Sequence, residues 1–184
     1  MKDLSMHIMD IVQNSVRANS NLIQIEVNEQ PEQNLLSIKF QDDGYGMDQD
    51  TLKRVTDPFY TSRSTRKVGL GLPLLMQNAE QAGGKIEISS ELGKGTSLIS
   101  EFEHNHIDRP PWGDIGGTIA LIMSGNPNIE FRYVHIFKDK IFEIDSRIIK
   151  KELDGVPIQR PEIIRFIKNM IVENLTDSGV NLEL

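Results

Sequence analysis

The sequence predicts an α+β sandwich, a sheet carrying helices on one face. Two observations lead there: apolar stripes at helical spacing are interspersed with short runs of strict apolar–polar alternation, and their order is helix, two strands, helix, helix, two strands. A doubly wound fold would alternate strand and helix instead. With 184 residues, 38% of them apolar and 26% charged, the chain can bury a core as one domain or a domain with an appendage.

Over residues 3–19, Leu4, Ile8, Ile11, Val12, Ser15 and Ala18 return at spacings of three and four and make one stripe of an amphipathic helix. His7, Asp10, Asn14 and Arg17 make a second stripe beside it. Residues 22–27 and 35–40 alternate and predict two strands, a hairpin or near neighbours. Asp42-Asp43-Gly44-Tyr45-Gly46-Met47 reads as a tight loop, and Asp48 can cap a short helix ending near Val55. Residues 56–71 are rich in Thr, Ser, Arg and Gly and read as a loop. The spacing over 72–82 predicts a helix with Pro73 in its first turn and Gly83-Gly84 as its stop.

Strands follow at 85–90 and 96–103. Residues 105–112 end in Pro110-Pro111 and read as a linker. Beyond it, 117–123 reads as a helix, 129–137 and 140–145 as a hairpin, and 146–153 and 161–175 as helices. The expected division is a core over 1–104, the linker over 105–112, and a small αββα extension over 113–184 suited to binding a partner.

Composition removes several functions. The formal charge is −7 and cysteine is absent, which excludes disulfides, Fe–S clusters, thiolate zinc sites and cysteine nucleophiles. The acidic balance without a long Lys/Arg run argues against nucleic acid or a membrane surface as partner. Residues 1–7 mix charged and polar side chains where a leader needs an apolar run, so the expected location is the cytoplasm. Eight of the 14 glycines fall between residues 44 and 95, a concentration that suggests tight backbone bends or close approach to a ligand.

Three clusters carry chemistry. Asp10 and Asn14, four apart on a helix, project side by side, and a carboxylate beside a carboxamide suits Mg²⁺, which takes few protein oxygens; a solvated helix face would look the same. In Asp42-Asp43-Gly44-Tyr45-Gly46 the glycines let backbone approach a flat ligand, and Asp42 can accept from an exocyclic amine; a β-turn uses the same letters. Val68-Gly69-Leu70-Gly71-Leu72 runs into a helix whose first amides suit phosphate, with Thr61, Ser62, Arg63, Thr65, Arg66 and Lys67 before it as donors and counter-charges.

In order and spacing these clusters resemble the GHKL superfamily of ATP-binding domains, the Bergerat fold shared by sensor histidine kinases, anti-sigma-factor serine kinases, type II topoisomerases and MutL. The stretch 10–18, with Asp10 and Asn14, resembles its N box, and Asp42-Asp-Gly44-Tyr-Gly46 its G1 box. Asp57-Pro-Phe59-Tyr-Thr61-Ser-Arg63 resembles the F box, Gly69-Leu-Gly71-Leu the G2 box, and Gly93-Lys-Gly95-Thr96 the last glycine box. The likeness spans residues 3–103 and is closest in texture to histidine kinases.

The resemblance implies ATP and Mg²⁺ as cofactors. Asn14 would coordinate Mg²⁺ bridging the triphosphate, and Asp42 would accept the adenine amino group. Gly44 and Gly46 would let the base approach, and Gly69 and Gly71 would offer amides to phosphates. Thr61 and Arg63 would face the phosphate end, with Thr96 near the base and residues 57–71 as the ATP lid. Hydrolysing members carry Glu four positions before the Mg²⁺-binding Asn; here Asp10 stands there, one methylene shorter, as the candidate base.

Only six residues precede His7, so the helical hairpin that carries a histidine kinase's phospho-acceptor is not expected in this chain. The implied function is a regulatory protein that binds Mg·ATP and passes the γ-phosphate to a partner protein. The alternatives are a nucleotide-gated binding module without chemistry and an ATPase that closes a homodimer. Of the remaining singular residues, His7 is expected to partner Asp10 or the lid, His104 and His106 to be solvated, His135 to face outward, and Trp112 to plug the junction between core and extension.

Overall fold

The computed structural model describes residues 3–55 and 71–183. Helix α1 (Leu4–Arg17) starts where the Asp3 carboxylate accepts the Met6 amide at 2.8 Å. Strands β1 (Leu22–Gln30) and β2 (Leu35–Asp42) follow, then the short helix α2 (Gln49–Arg54), capped by Asp48 on the Thr51 amide at 2.7 Å. Helix α3 (Gly71–Gln81) leads into β3 (Lys85–Glu91) and β4 (Gly95–Glu103). The C-terminal part supplies α4 (Ile115–Gly125), β5 (Glu130–Phe137), β6 (Lys140–Asp145), α5 (Ser146–Glu152) and α6 (Pro161–Ser178).

The strands form one sheet in the order β3-β4-β2-β1-β5-β6. The β1–β5 pair is parallel, with Ile23 opposite Phe131, and the other pairs are antiparallel. Strand alternation buries Ile23, Ile25 and Val27 of β1, Leu36, Ile38 and Phe40 of β2, and Phe131 and Tyr133 of β5 on one face. Over that face α3, α1, α4 and α6 lie side by side, contributing among others Leu75, Ile8, Ile119 and Ile171. The result is the expected two-layer α+β sandwich. Among the described residues no helix is long and apolar enough to cross a membrane.

The segment after residue 112 differs from the expected appendage in one respect: its two strands complete the same sheet as β1 to β4. Periodicity identifies these strands but not their neighbours, because a parallel pair joins distant stretches of chain. The residues between 104 and 113 are tied down as well. The carbonyls of Pro111 and Trp112 accept the Leu4 and Ser5 amides at 2.9 and 3.1 Å, two of the donors that a helix start leaves unpaired.

A polar cluster is buried where this segment crosses the sheet. Glu29, 2% exposed on β1, accepts from His135 Nε2 at 2.7 Å and from His104 Nε2 at 2.8 Å. The Tyr133 hydroxyl then donates to His135 Nδ1 at 2.6 Å, and Trp112 lies with its ring centre 5.4 Å from that of His135. Burial alone would raise the Glu29 carboxyl, but hydrogen bonds and charge from His135 and then His104 hold it below the usual carboxylate range. His135 therefore faces inward, and His104 is a buried-carboxylate partner rather than a solvated loop residue. Both expectations fail for one reason: Glu29, itself in an alternating strand, is turned to the core side and draws the histidines to it. Trp112 is fully buried at the junction, as expected.

Candidate functional site

A cavity of about 420 Å³ opens between α1, α3, the end of β2 and the β3–β4 hairpin, within the size range of small-molecule sites. Asp10 and Asn14 of α1, Asp42 at the end of β2, Gly46, Gly71 and Thr96 all line it. Residues separated by up to 86 positions in sequence thus converge because α1 packs against α3 while β2 pairs with β4, placing Asp42 directly opposite Thr96. Phe40, Ile88 and Leu98 supply apolar wall. Thr61, Arg63 and Gly69, with the F-box residues Asp57 and Phe59, lie outside the described residues.

The two adjacent aspartates separate cleanly. Asp43 Oδ1 accepts the Asn21 and Leu22 amides at 2.7 and 2.9 Å, which uses it to start β1. Asp42 accepts the Ser15 hydroxyl at 2.7 Å on Oδ2 and the Gly44 amide at 2.9 Å on Oδ1. Its carboxylate is thereby fixed at the cavity wall, with lone pairs left for a further donor. On α1 the Asn14 carboxamide oxygen accepts from Arg17 Nη1 at 3.1 Å. The Asp10 carboxylate lies against the first residue of α3, where a side chain at Gly71 would overlap Asp10 Oδ2.

The glycines of the G1 region meet protein at close range. Gly46 adopts φ +66° and crosses the hairpin so tightly that a Cβ would strike the Glu91 carbonyl; at Gly95, φ +93°, a Cβ would strike that of Asp42. A Cβ on Gly44 would press on Ala18 and Ser20 at 2.7 Å, and Gly44 does not line the cavity. These positions hold the loop against its neighbours and so set Asp42 and Thr96 in place.

Two positioning residues escape a sequence reading. Ser15 reads as one more member of the apolar stripe, yet it orients Asp42; a lone hydroxyl within that stripe is the only signal. Ser90 accepts the Met47 amide at 2.9 Å, donates to the Gly95 carbonyl at 2.9 Å and lies 3.0 Å from the Thr96 hydroxyl, stitching the G1 loop to the hairpin. His7 lies on the helix that lines the site and bonds Asn78 in place of Asp10, while the lid expected as its other partner lies outside the described residues. It is 1% exposed and bonds Asn78 of α3 at 2.8 Å through Nε2, because residue 7 lies one turn before Asp10, where α3 covers α1. Burial is the main cause that lowers its pKa to about 4.

Comparison with known proteins is consistent with this geometry. The sequence profile of the family described as histidine kinase-, DNA gyrase B-, and HSP90-like ATPase matches residues 2–106. A putative sensor protein of Shewanella frigidimarina (strain NCIMB 400) is 38% identical over 95 residues, covering 50% of this chain and 14% of that protein. Sporulation kinase E of Bacillus subtilis (strain 168) is 43% identical over 65 residues, covering 35% of this chain and 9% of that one. Sensor histidine kinase YxdK of the same organism is 31% identical over 108 residues, covering 55% and 33%. The chain thus spans a third or less of the length of these relatives.

A crystal structure of the N-terminal domain of a DNA repair protein superposes with a TM-score of 0.55 and 19% identity, over 78% of this chain and 52% of that one. That likeness is one of fold, and it extends beyond what residues 2–106 alone could supply. By the profile match over more than half its length, the chain belongs to the histidine kinase-, DNA gyrase B- and HSP90-like ATPase family, whose domain binds ATP.

Proposed function

We propose that the cavity binds Mg·ATP and that the protein passes the γ-phosphate to a hydroxyl of a partner protein. The observation that carries the binding half is Asp42, whose carboxylate is held on the cavity wall by Ser15 and Gly44 and can accept the adenine amino group. Thr96, opposite Asp42, borders the same end, with Gly44 and Gly46 shaping the loop behind it. Asn14 would hold Mg²⁺ through its carboxamide oxygen, which accepts from Arg17 at 3.1 Å, and the ion would supply charge neutralisation at the phosphates. Gly71, at the start of α3, lies at the phosphate end, and Thr61, Arg63 and Gly69 are assigned to the same end on family resemblance.

Phosphoryl transfer is mainly positioning and charge neutralisation. In the proposed step the partner hydroxyl oxygen bonds the γ-phosphorus, the bond from that phosphorus to the β–γ bridging oxygen breaks, ADP leaves, and Asp10 takes the hydroxyl proton. Asp10 lies one helical turn from Asn14, as a base beside the metal would.

Thermal unfolding of the wild type with and without Mg·ATP tests binding: a rise in midpoint, absent in Asp42→Ala, is expected. No rise in the wild type would overturn the binding reading. Label from γ-labelled ATP is expected on a copurifying protein. Phosphate released without a partner would replace transfer by hydrolysis, and intact nucleotide after hours would leave a nucleotide-gated module.

A further inference from the structure

We infer that Tyr45 and Leu92 form an apolar outer wall for the purine base, so that base affinity depends on two residues outside the family boxes' polar contacts. The inference rests on the nucleotide-binding reading of the same cavity. Tyr45 is 56% exposed and Leu92 63%, and both line the cavity. Other large exposed apolar side chains, such as Ile107, Ile141 and Phe166, lie away from it. Apolar surface concentrated at the rim of a pocket, rather than scattered, marks surface that a ligand covers.

The two side chains are held there by backbone. The Tyr45 amide donates to the Ala18 carbonyl at the end of α1 at 2.9 Å, and the Tyr45 carbonyl accepts from Gly93, next to Leu92, at 2.8 Å. The turn carrying Leu92 is closed by Lys94 donating to the Glu91 carbonyl at 3.0 Å, and Met47 is tied to Ser90. The rim is therefore pinned to α1 on one side and to the β3–β4 hairpin on the other. It sits at the end of the cavity where Asp42 and Thr96 stand, and neither side chain offers a charge. A flat apolar ring with polar edges fits that combination: its amine on Asp42 and its surface against the phenol and the leucine. A free phosphate would use neither.

The test is a titration of Tyr45→Ala, Leu92→Ala and Tyr45→Phe with Mg·ADP, together with methyl NMR of Leu92 in the wild type. The alanine variants are each expected to lose about tenfold in affinity while Tyr45→Phe stays within about twofold of wild type. The Leu92 methyl signals are expected to move upfield on Mg·ADP addition, by the ring current of the base. Wild-type affinity in both alanine variants, or unmoved Leu92 methyls at saturation, would overturn the wall while leaving nucleotide binding intact. Failure of the wild type to bind Mg·ADP would instead overturn the nucleotide reading itself. Both side chains are largely exposed, so loss of fold does not confound the comparison.

Discussion

His7 should make this protein acid-sensitive in a window set by one buried ring. The imidazole is 1% exposed and its pKa is lowered to about 4 from an ordinary 6.5, chiefly by burial. Because the folded value lies below the unfolded one, the unfolded chain binds a proton that the folded chain refuses, and stability falls as pH drops from the unfolded value toward the folded one. Linkage over that interval gives a loss of about 2 kcal/mol between pH 7 and pH 5, and at most about 3 kcal/mol in stronger acid. His7→Gln keeps a partner for Asn78 and removes the titration. Urea unfolding of both proteins at pH 7, 6 and 5 is the assay. The wild type should lose about 2 kcal/mol more than the variant over that range. Equal losses would show that the folded ring takes up its proton as readily as the unfolded one, and would refute the reasoning. Because the folded ring stays neutral over this interval, the contact between the helix bearing Asp10 and Asn14 and the helix bearing Gly71 should persist in the molecules that remain folded.

Glu29→Gln keeps the shape but replaces a two-oxygen acceptor facing two histidines with one acceptor and one donor; it should cost about 2–4 kcal/mol at pH 7 by chemical denaturation. Since the folded Glu29 carboxyl lies below the usual range, that difference should persist above the unfolded carboxylate pKa and shrink as pH falls through the folded one. Ser15→Ala frees one oxygen of Asp42 and should weaken Mg·ATP several-fold, by about 1 kcal/mol in calorimetry, with little change in unfolding midpoint. Asp10→Ala should leave Mg·ADP binding near wild type and lower phosphoryl transfer about a hundredfold or more in a label-transfer assay.

Elements with local signatures were legible in the sequence. Asp48 announces a helix start by capping, and 22–27 and 35–40 announce strands by alternation. Asp10, Asn14, Asp42 and Thr96 were legible as a set because their spacing follows the boxes, and the fold brings them to one cavity. What escaped depends on side chains meeting across sequence. Ser15 looks apolar by its place in a stripe until Asp42 is seen beside it. His135 looks outward-facing until Glu29, more than a hundred residues earlier, is found on the same buried face. The pairing of β5 with β1 belongs to the same class: alternation says that a strand exists, and only the folded sheet says which edge it takes.

That pairing also sets a schedule. Ile23 finds its neighbour Phe131 only after the intervening chain has been made, so at ribosomal speeds of about 5–20 residues per second β1 waits on the order of 5–20 s with one side bare. The helix that carries Asp10 and Asn14 waits with it, since the carbonyls that receive its first amides belong to Pro111 and Trp112. During synthesis the cavity is therefore a late product, although most of its residues emerge early. A chain stopped near residue 104 keeps the bare strand for good and is expected to associate through it rather than persist as a small ATP-binding domain.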